Sequence, residues 1–303
     1  MSIEDFPLST RTFDFAPRPR GYRGRIAPTP TGLLHLGHAR TFWTAFQRAR
    51  SNGGTLVYRN EDLDHARCRQ EWVDLAIEDL RWLGLDWQEG PDRGGDFGPY
   101  HQSQRMPVYR DLLARLQNSG AVYPCYCSRR DIARAVGAPH AADEEPLYPG
   151  YCRPDHAGVS PAKSLRERVH PCWRFRVPEG EAIEFPDGAL GPQHFIAGRD
   201  FGDFVVWSRD DIPSYQLAVV ADDTLMQITE VVRGADLLLS TARQILLYRA
   251  LHAPIPAFYH CPLVTDSTGA RLAKRHNALS LRHLRREGVT PTQILGQGPR
   301  VGG

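Results

Sequence analysis

The tightest constraint on the fold lies between residues 25 and 43, which read Arg-Ile-Ala-Pro-Thr-Pro-Thr-Gly-Leu-Leu-His-Leu-Gly-His-Ala-Arg-Thr-Phe-Trp. A short apolar strand ends at Pro28, because Pro28, Pro30 and Gly32 stop a strand and force a turn, and the apolar spacing of Leu36, Phe42 and Phe46 then follows a helical period. The expected unit is strand, turn, helix. It places His35 and His38 within one turn of each other at the helix start, where unpaired N–H groups and the dipole favour an anion. Gly37 between them lets a phosphate or a flat ring come close to the backbone. The segment therefore offers a nucleotide seat, although it contains neither a P-loop nor a G-x-G-x-x-G turn. For His-Leu-Gly-His alone the bland alternative is a pair of capping or surface histidines.

At 303 residues the chain exceeds a usual single core, so one large domain with an insertion, or two domains, is expected. With 41% hydrophobic and 24% charged residues it reads as an ordinary globular protein. No apolar run approaches a membrane span, and residues 1–15 lack the basic-then-apolar order of a signal peptide. A cytoplasmic protein with no membrane partner is the expectation. The formal charge of +2 means that RNA would have to be held by local basic patches. Six cysteines in such a chain do not suggest a disulfide framework, and their clustering matters more than their number.

Along the chain, residues 1–22 show no period and read as an arm. Asn52-Gly53-Gly54 stops the first helix, and a strand over 55–59 runs into Glu61, Asp62 and Asp64. Carboxylates just past a strand's carboxyl end lie where ligands bind in a parallel α/β sheet. Asp62 and Asp64 read instead as a turn capping the next helix. That helix, 68–85, carries Trp72, Ala76, Leu80 and Leu83 on one face, and the tryptophans of the run Trp82 to Trp87 are assigned to the core. A further helix runs from about 106 to 120. Strands are expected over 173–177, 203–207 and 228–232, with Pro213 and Ser214 opening a helix at Tyr215 and an apolar helix following to His252. This order brings Tyr215 and Arg233 to the sheet edge of Glu61. An arginine fork there suits a carboxylate, and with Arg25 the lining holds two cations, one anion and one phenol.

Cys125 and Cys127 sit two apart, and Tyr148 and Cys152 follow after a loop. Three thiolates from two short segments suit one structural Zn²⁺, with Tyr148, Tyr151, His140 and His156 as candidates for a fourth ligand. Chemistry alone favours a histidine. Cys172 stands apart in the sequence and is assigned no function. Near the end, Asp266 to Gly269 suits a hairpin turn, and Arg271-Leu-Ala-Lys274-Arg275 forms a basic loop.

These motifs together resemble the class I aminoacyl-tRNA synthetases. Residues 25–43 look like the HIGH-type signature with the lead-in of the glutamyl/glutaminyl branch, and Arg59 to Asp64, Trp82 to Trp87 and Tyr100 to Ser103 resemble the same enzymes. Arg271 to Arg275 occupies the place of the KMSKS-type loop in degenerate form, with only Lys274 of its lysines retained. Cys-x-Cys with Tyr-x-x-x-Cys is similar to the bacterial glutamyl-queuosine tRNA(Asp) synthetases, short paralogues of glutamyl-tRNA synthetase in which that tyrosine ligates zinc. The 29 residues after Lys274 are too few for a further core, which favours the short paralogue over a chain with an anticodon-binding domain.

The resemblance implies an α/β fold, a Rossmann-like core whose parallel sheet is flanked by helices, with an inserted zinc-containing subdomain. Its implied boundaries are an arm at 1–22, core halves at 23–105 and 201–254, the insertion at 106–200, and a C-terminal segment at 255–303 carrying the lysine loop. The implied glutamate site is Arg25, Ile26, Ala27, Pro28, Thr29, Glu61, Tyr215 and Arg233. ATP with Mg²⁺ would meet His35, Gly37, His38 and Lys274, of which His35, His38 and Lys274 are catalytic. The zinc ligands would be Cys125, Cys127, Tyr148 and Cys152. The implied partners are ATP, L-glutamate and queuosine-bearing tRNA(Asp), acting on a monomer. Rival readings are a shortened synthetase charging tRNA(Glu), a different HxGH nucleotidyltransferase, and a zinc-stapled RNA-binding module without catalysis.

Overall fold

The computed structural model describes residues 21–128, 132, 147–155, 170–263 and 280–296. Most of the N-terminal arm, Arg271, Lys274, Arg275, His140 and His156 lie outside the described residues.

Strand β1 (Arg23–Ile26) ends two residues before Pro28, and α1 (Leu36–Ser51) begins after the Pro-rich turn, giving the expected strand, turn and helix. Chain reversal at Asn52 and Gly53 leads to β2 (Thr55–Tyr58), which pairs parallel to β1. Helix α2 (Gln70–Trp82) buries Val73, Ala76 and Leu80, while Trp72 is only half-buried; Trp87, beyond the helix, is the tryptophan that is fully enclosed. Its N-cap is Arg69, not an acid. Asp62 instead accepts the backbone N–H and the hydroxyl of Ser103 at 2.9 and 2.7 Å, and Asp64 pairs with Arg67. The expected capping turn is thus a brace to the 102–104 turn.

Helix α3 (Met106–Asn118) runs into β3 (Val122–Cys125), which forms an antiparallel sheet with β4 (Cys172–Phe175) and β7 (Val205–Trp207). Between β4 and β7 a hairpin, β5 (Ala182–Asp187) and β6 (Gly191–Ile196), leaves this sheet and meets β9 (Ala257–Cys261) in parallel at Asp187 and Phe258. Helix α4 (Tyr215–Leu225) is capped by Ser214, whose hydroxyl accepts the Leu217 N–H. After it come β8 (Glu230–Gly234), α5 (Leu238–Ala250) and β9, with β8 and β9 parallel. Thr229 N–H donates to the Arg23 carbonyl at 2.9 Å, and Arg25 Nη1 donates to the Val232 carbonyl at 2.7 Å, so β8 runs alongside β1 in the same sense.

Alternation along the strands shows that both faces of this parallel sheet are covered. Val57, Val231 and Phe258 join a core with α3, α4 and α5, whereas Leu56, Tyr58 and Val232 join one with α1 and α2. Two short helices, α6 (Leu281–Arg286) and α7 (Pro291–Leu295), insert Leu281 and Ile294 into the second core. Leu281 N–H donates to the Leu34 carbonyl, which ties the segment after the lysine loop to the turn before α1.

Candidate active site and thiol cluster

Three parallel strands bring their carboxyl ends to one edge: Arg25 and Arg233 are the penultimate residues of β1 and β8, Glu61 follows β2, and Tyr215 opens α4. Ile26 is fully enclosed, and its carbonyl accepts the Arg59 N–H at 2.9 Å; the Pro28 carbonyl accepts the Glu61 N–H at 3.1 Å. The two strand exits are therefore stitched together. Ile26 turns its side chain into the core; of the other residues in 25–29, Arg25 and Pro28 are buried, Ala27 is half-buried and Thr29 is exposed.

At the bottom of this edge lies a charge cluster that sequence reasoning missed. Arg59, fully buried, donates to Asp223 at 2.6 Å and to Glu61 at 2.9 Å. Neighbouring Asp222 accepts from Arg105 at 2.7 Å, Gln102 at 2.8 Å and the Tyr109 hydroxyl. Arg25 Nε stands 3.6 Å from Asp223. Arg233 Nη1 donates to the Tyr215 hydroxyl at 3.3 Å, and the charges of Arg233, Glu61, Arg25 and Asp223 all reach that phenol. Burial raises the pKa of Glu61, and the Arg59 and Arg25 guanidiniums oppose it. Arg59 also stands 3.7 Å from Asp222, so these carboxylates are met by Arg25, Arg59 and Arg105. Arg233 instead donates to neutral groups, the Tyr215 and Thr241 hydroxyls and the His260 ring, which leaves its guanidinium suited to a ligand carboxylate.

A signal for this cluster is present in the sequence. Asp222 and Asp223 interrupt the apolar run Leu217 to Ala221 on a helix enclosed on all sides, and buried acids require cationic partners.

The paired imidazoles stand at the N-terminus of α1. His35 is the N-cap, and its Nδ1 accepts the Gly37 N–H at 3.1 Å; His38 Nδ1 accepts the His35 N–H at 3.3 Å. The rings stack with centroids 3.8 Å apart. With both Nδ1 atoms accepting, each neutral ring carries its proton on Nε2 and can offer it to an anion. The capping alternative and the nucleotide-seat reading are thus compatible. Gly37 has a second reason to lack a side chain: a Cβ there would stand 3.0 Å from His35 Cε1. Helix α1 lies against the sheet through Ala39 in the core that also holds Ile26 and Val232, and His35 bridges to Ser280.

Away from this edge, the Sγ atoms of Cys125, Cys127 and Cys152 all lie within 4.8 Å of one another. The Tyr148 hydroxyl joins them, 3.4 Å from Cys125 and 3.5 Å from Cys127, while Cys127 and Cys152 are 3.6 Å apart. A tetrahedral zinc with Zn–S of about 2.3 Å and Zn–O of about 2.0 Å would require S···S edges of about 3.8 Å and S···O edges of about 3.5 Å. The cluster fits one zinc. Hydrogen bonds from Cys127, Cys152 and Cys172, aided by the Arg174 charge, pull the Cys125 pKa down. Hydrogen bonding to Cys125 and Cys152 pushes that of Cys127 up, and burial does the same to Tyr148. Burial and hydrogen bonding thus favour a thiolate at Cys125 and hold Cys127 and Tyr148 protonated, and a bound cation would reverse the latter. Cys172 is not isolated: it faces Cys125 across β3 and β4, and its thiol donates to the Cys125 carbonyl at 3.4 Å. Arg174 donates to Cys125 Sγ at 3.3 Å and lies over the Tyr148 ring.

Among the described residues no helix is long and apolar enough to cross a membrane. Residues 22–302 match the family model for tRNA synthetases class I (E and Q), catalytic domain. The chain is 53% identical to a glutamyl-Q tRNA(Asp) synthetase of Symbiobacterium thermophilum, over 90% of this chain and 84% of that one. It is 44% identical to glutamate--tRNA ligase 2 of Acidithiobacillus ferrooxidans, over 92% of this chain but 58% of that one. Among solved structures it is similar to a glutamate tRNA ligase from Elizabethkingia meningosepticum in complex with its amino acid, with a TM-score of 0.73 at 29% identity. That match covers 84% of this chain and about half, 52%, of the other. A HIGH-type turn on a doubly covered parallel sheet and a match along nearly the whole chain lead to one conclusion: the chain belongs to the glutamyl and glutaminyl family of class I tRNA synthetases.

Proposed function

We propose that the protein activates L-glutamate with ATP, without needing tRNA, and transfers it to the queuosine of tRNA(Asp). The single observation that carries the amino-acid half is the meeting of Arg233, whose guanidinium donates to the neutral hydroxyls of Tyr215 and Thr241, with Arg25 and Glu61 at one sheet edge. In this reading Arg233 and Arg25 take carboxylate, Tyr215 adds a hydroxyl, and Glu61 receives the ammonium. The 26–29 strip supplies the pocket wall.

Activation is an in-line displacement: a glutamate α-carboxylate oxygen attacks the α-phosphorus of ATP, the bond to the bridging oxygen breaks, and pyrophosphate leaves. Such a step needs positioning and charge stabilisation more than proton transfer. His35 and His38 offer Nε2–H donors to the developing phosphate charge, Gly37 leaves the approach open, and Lys274 stabilises the departing pyrophosphate together with substrate-bound Mg²⁺. In the second step a queuosine hydroxyl attacks the glutamyl carbonyl and AMP leaves.

Cys125, Cys127, Tyr148 and Cys152 are the set that would hold one zinc, which would supply a structural staple between β3 and the 147–152 segment. This staple belongs to an inserted subdomain spanning 106–200 between the core halves at 23–105 and 201–254, and the protein acts as a monomer. The acceptor is proposed from the name of the 53% identical relative. The rival acceptor is tRNA(Glu), which the 44% identical ligase would favour. Acylation with labelled glutamate compares tRNA(Asp) with queuosine, tRNA(Asp) without it, and tRNA(Glu). Label on queuosine-containing tRNA(Asp) alone is expected; label on tRNA(Glu) would overturn the assignment.

A further inference from the structure

Arg233 is held from behind. Its register partner across the parallel pair β8 and β9 is His260, which has no exposed surface. Arg233 Nε lies 3.2 Å from His260 Nε2, and a guanidinium can only donate, so Nε2 accepts. The ring proton therefore sits on Nδ1, which lies 2.6 Å from Asp187 Oδ2. Asp187 is itself fixed: its Oδ1 accepts the backbone N–H groups of Leu190, Ala189 and His260 at 2.9, 3.0 and 3.2 Å. Thr241 braces the same contact, its Oγ1 accepting from Arg233 Nη2 at 2.7 Å and lying 3.0 Å from His260 Nε2, to which its hydroxyl can donate.

We propose that Asp187 and His260 are positioning residues of the amino-acid pocket, fixing the imidazole tautomer that turns Arg233 Nε inward and presents its Nη edge to the substrate carboxylate. The inference rests on Arg233 being the carboxylate fork of the proposed function. Burial and the Arg233 charge lower the His260 pKa against the pull of Asp187, so the ring stays neutral and keeps its lone pair for Arg233. Burial alone would raise the Asp187 pKa, but the bonds from His260 and the three backbone donors outweigh it and keep it ionised. Asp187 stands at the one residue where β5 meets β9, so the hairpin between β4 and β7 contributes to a pocket it does not line.

Asp187→Asn tests this with little change of shape. The three backbone N–H groups need an oxygen, so the amide would turn its NH₂ to the imidazole, move the ring proton to Nε2, and set that N–H against the Arg233 Nε–H. In glutamate-dependent ATP–pyrophosphate exchange, the variant is expected to raise the glutamate KM by at least about tenfold, the loss of one charge-assisted hydrogen bond, with the ATP KM within about twofold. His260→Leu is expected to do the same, and His260→Gln, which keeps an acceptor for Arg233, to recover part of the loss. A readout independent of activity is the ¹⁵N spectrum of histidine-labelled wild-type protein, in which His260 is expected as the neutral Nδ1–H tautomer. An Nε2–H tautomer, or equal effects on both KM values in an active enzyme, would overturn the relay. A wild-type protein silent toward glutamate would instead overturn the functional reading and leave the tautomer measurement to decide the geometry.

Discussion

Arg59→Met is the perturbation whose size follows most directly from the buried cluster. Arg59 has no exposed surface and lies 2.6 Å from Asp223, 2.9 Å from Glu61 and 3.7 Å from Asp222. Methionine fills much of the aliphatic volume but carries no charge. Asp222 keeps Arg105, Gln102 and Tyr109, so its loss is small. Asp223 is left with Arg25 at 3.6 Å, and Glu61 loses its hydrogen-bonded guanidinium. Breaking a buried pair in this way costs about 3–5 kcal/mol. For a chain of this size, at about 2 °C per kcal/mol, the melting temperature should fall by about 6–10 °C.

The loss should also depend on pH. Burial already raises the Glu61 pKa, and removing Arg59 raises it further above its unfolded value. The folded variant then binds more protons than the unfolded chain between those two pKa values, so its stability falls as pH rises through that window. Urea unfolding at pH 5 and pH 8 should show a wider gap between wild type and variant at pH 8. Arg59→Lys, with one compact ammonium for two carboxylates, should fall between the two. A loss below about 1 kcal/mol, or one independent of pH, would refute the claim that this guanidinium neutralises the pocket floor.

Tyr148→Phe removes the oxygen that sits among the three sulfurs and should speed zinc extraction by a chelator about 10–100-fold, read by metal analysis against one zinc per wild-type chain. Unchanged retention would exclude the phenol from the ligand set. Asp79 is fully buried on α2, and burial pushes its pKa up to about 6, with Arg282 opposing. Its unfolded value is about 3.9, so the ionised side chain destabilises the fold above that pH by an amount that grows toward pH 6 and then levels. Asp79→Asn should therefore stabilise the protein by up to about 3 kcal/mol at pH 8 and hardly at all at pH 4, measured by urea unfolding. Equal effects at both would show that Asp79 is paired more strongly than its surroundings indicate.

The local features of the fold were legible because they depend on near neighbours. Proline and glycine after Ile26 stop β1, Ser214 caps the helix that follows it, and Cys-x-Cys and Tyr-x-x-x-Cys each carry their ligand atoms within a few residues. The rest depends on pairings between distant segments, which periodicity does not encode. Arg59 meets Asp223, and Asp187 meets His260, only because β2, α4, β5 and β9 assemble around one edge. Cys172 read as isolated because its partner Cys125 is a cross-strand neighbour, 47 positions earlier. Asp222 and Asp223 carried a usable clue, two acids in an apolar helix, which points to buried cations without saying which arginines supply them.

The proposed activity is tested most directly by ATP–pyrophosphate exchange with purified protein in the absence of tRNA, using glutamate, glutamine and aspartate in turn. The account predicts exchange with glutamate alone, lost when Arg233 is replaced by Ala through a rise in the glutamate KM far larger than any change for ATP. Exchange with glutamine or aspartate at a comparable rate, or none with glutamate, would contradict it.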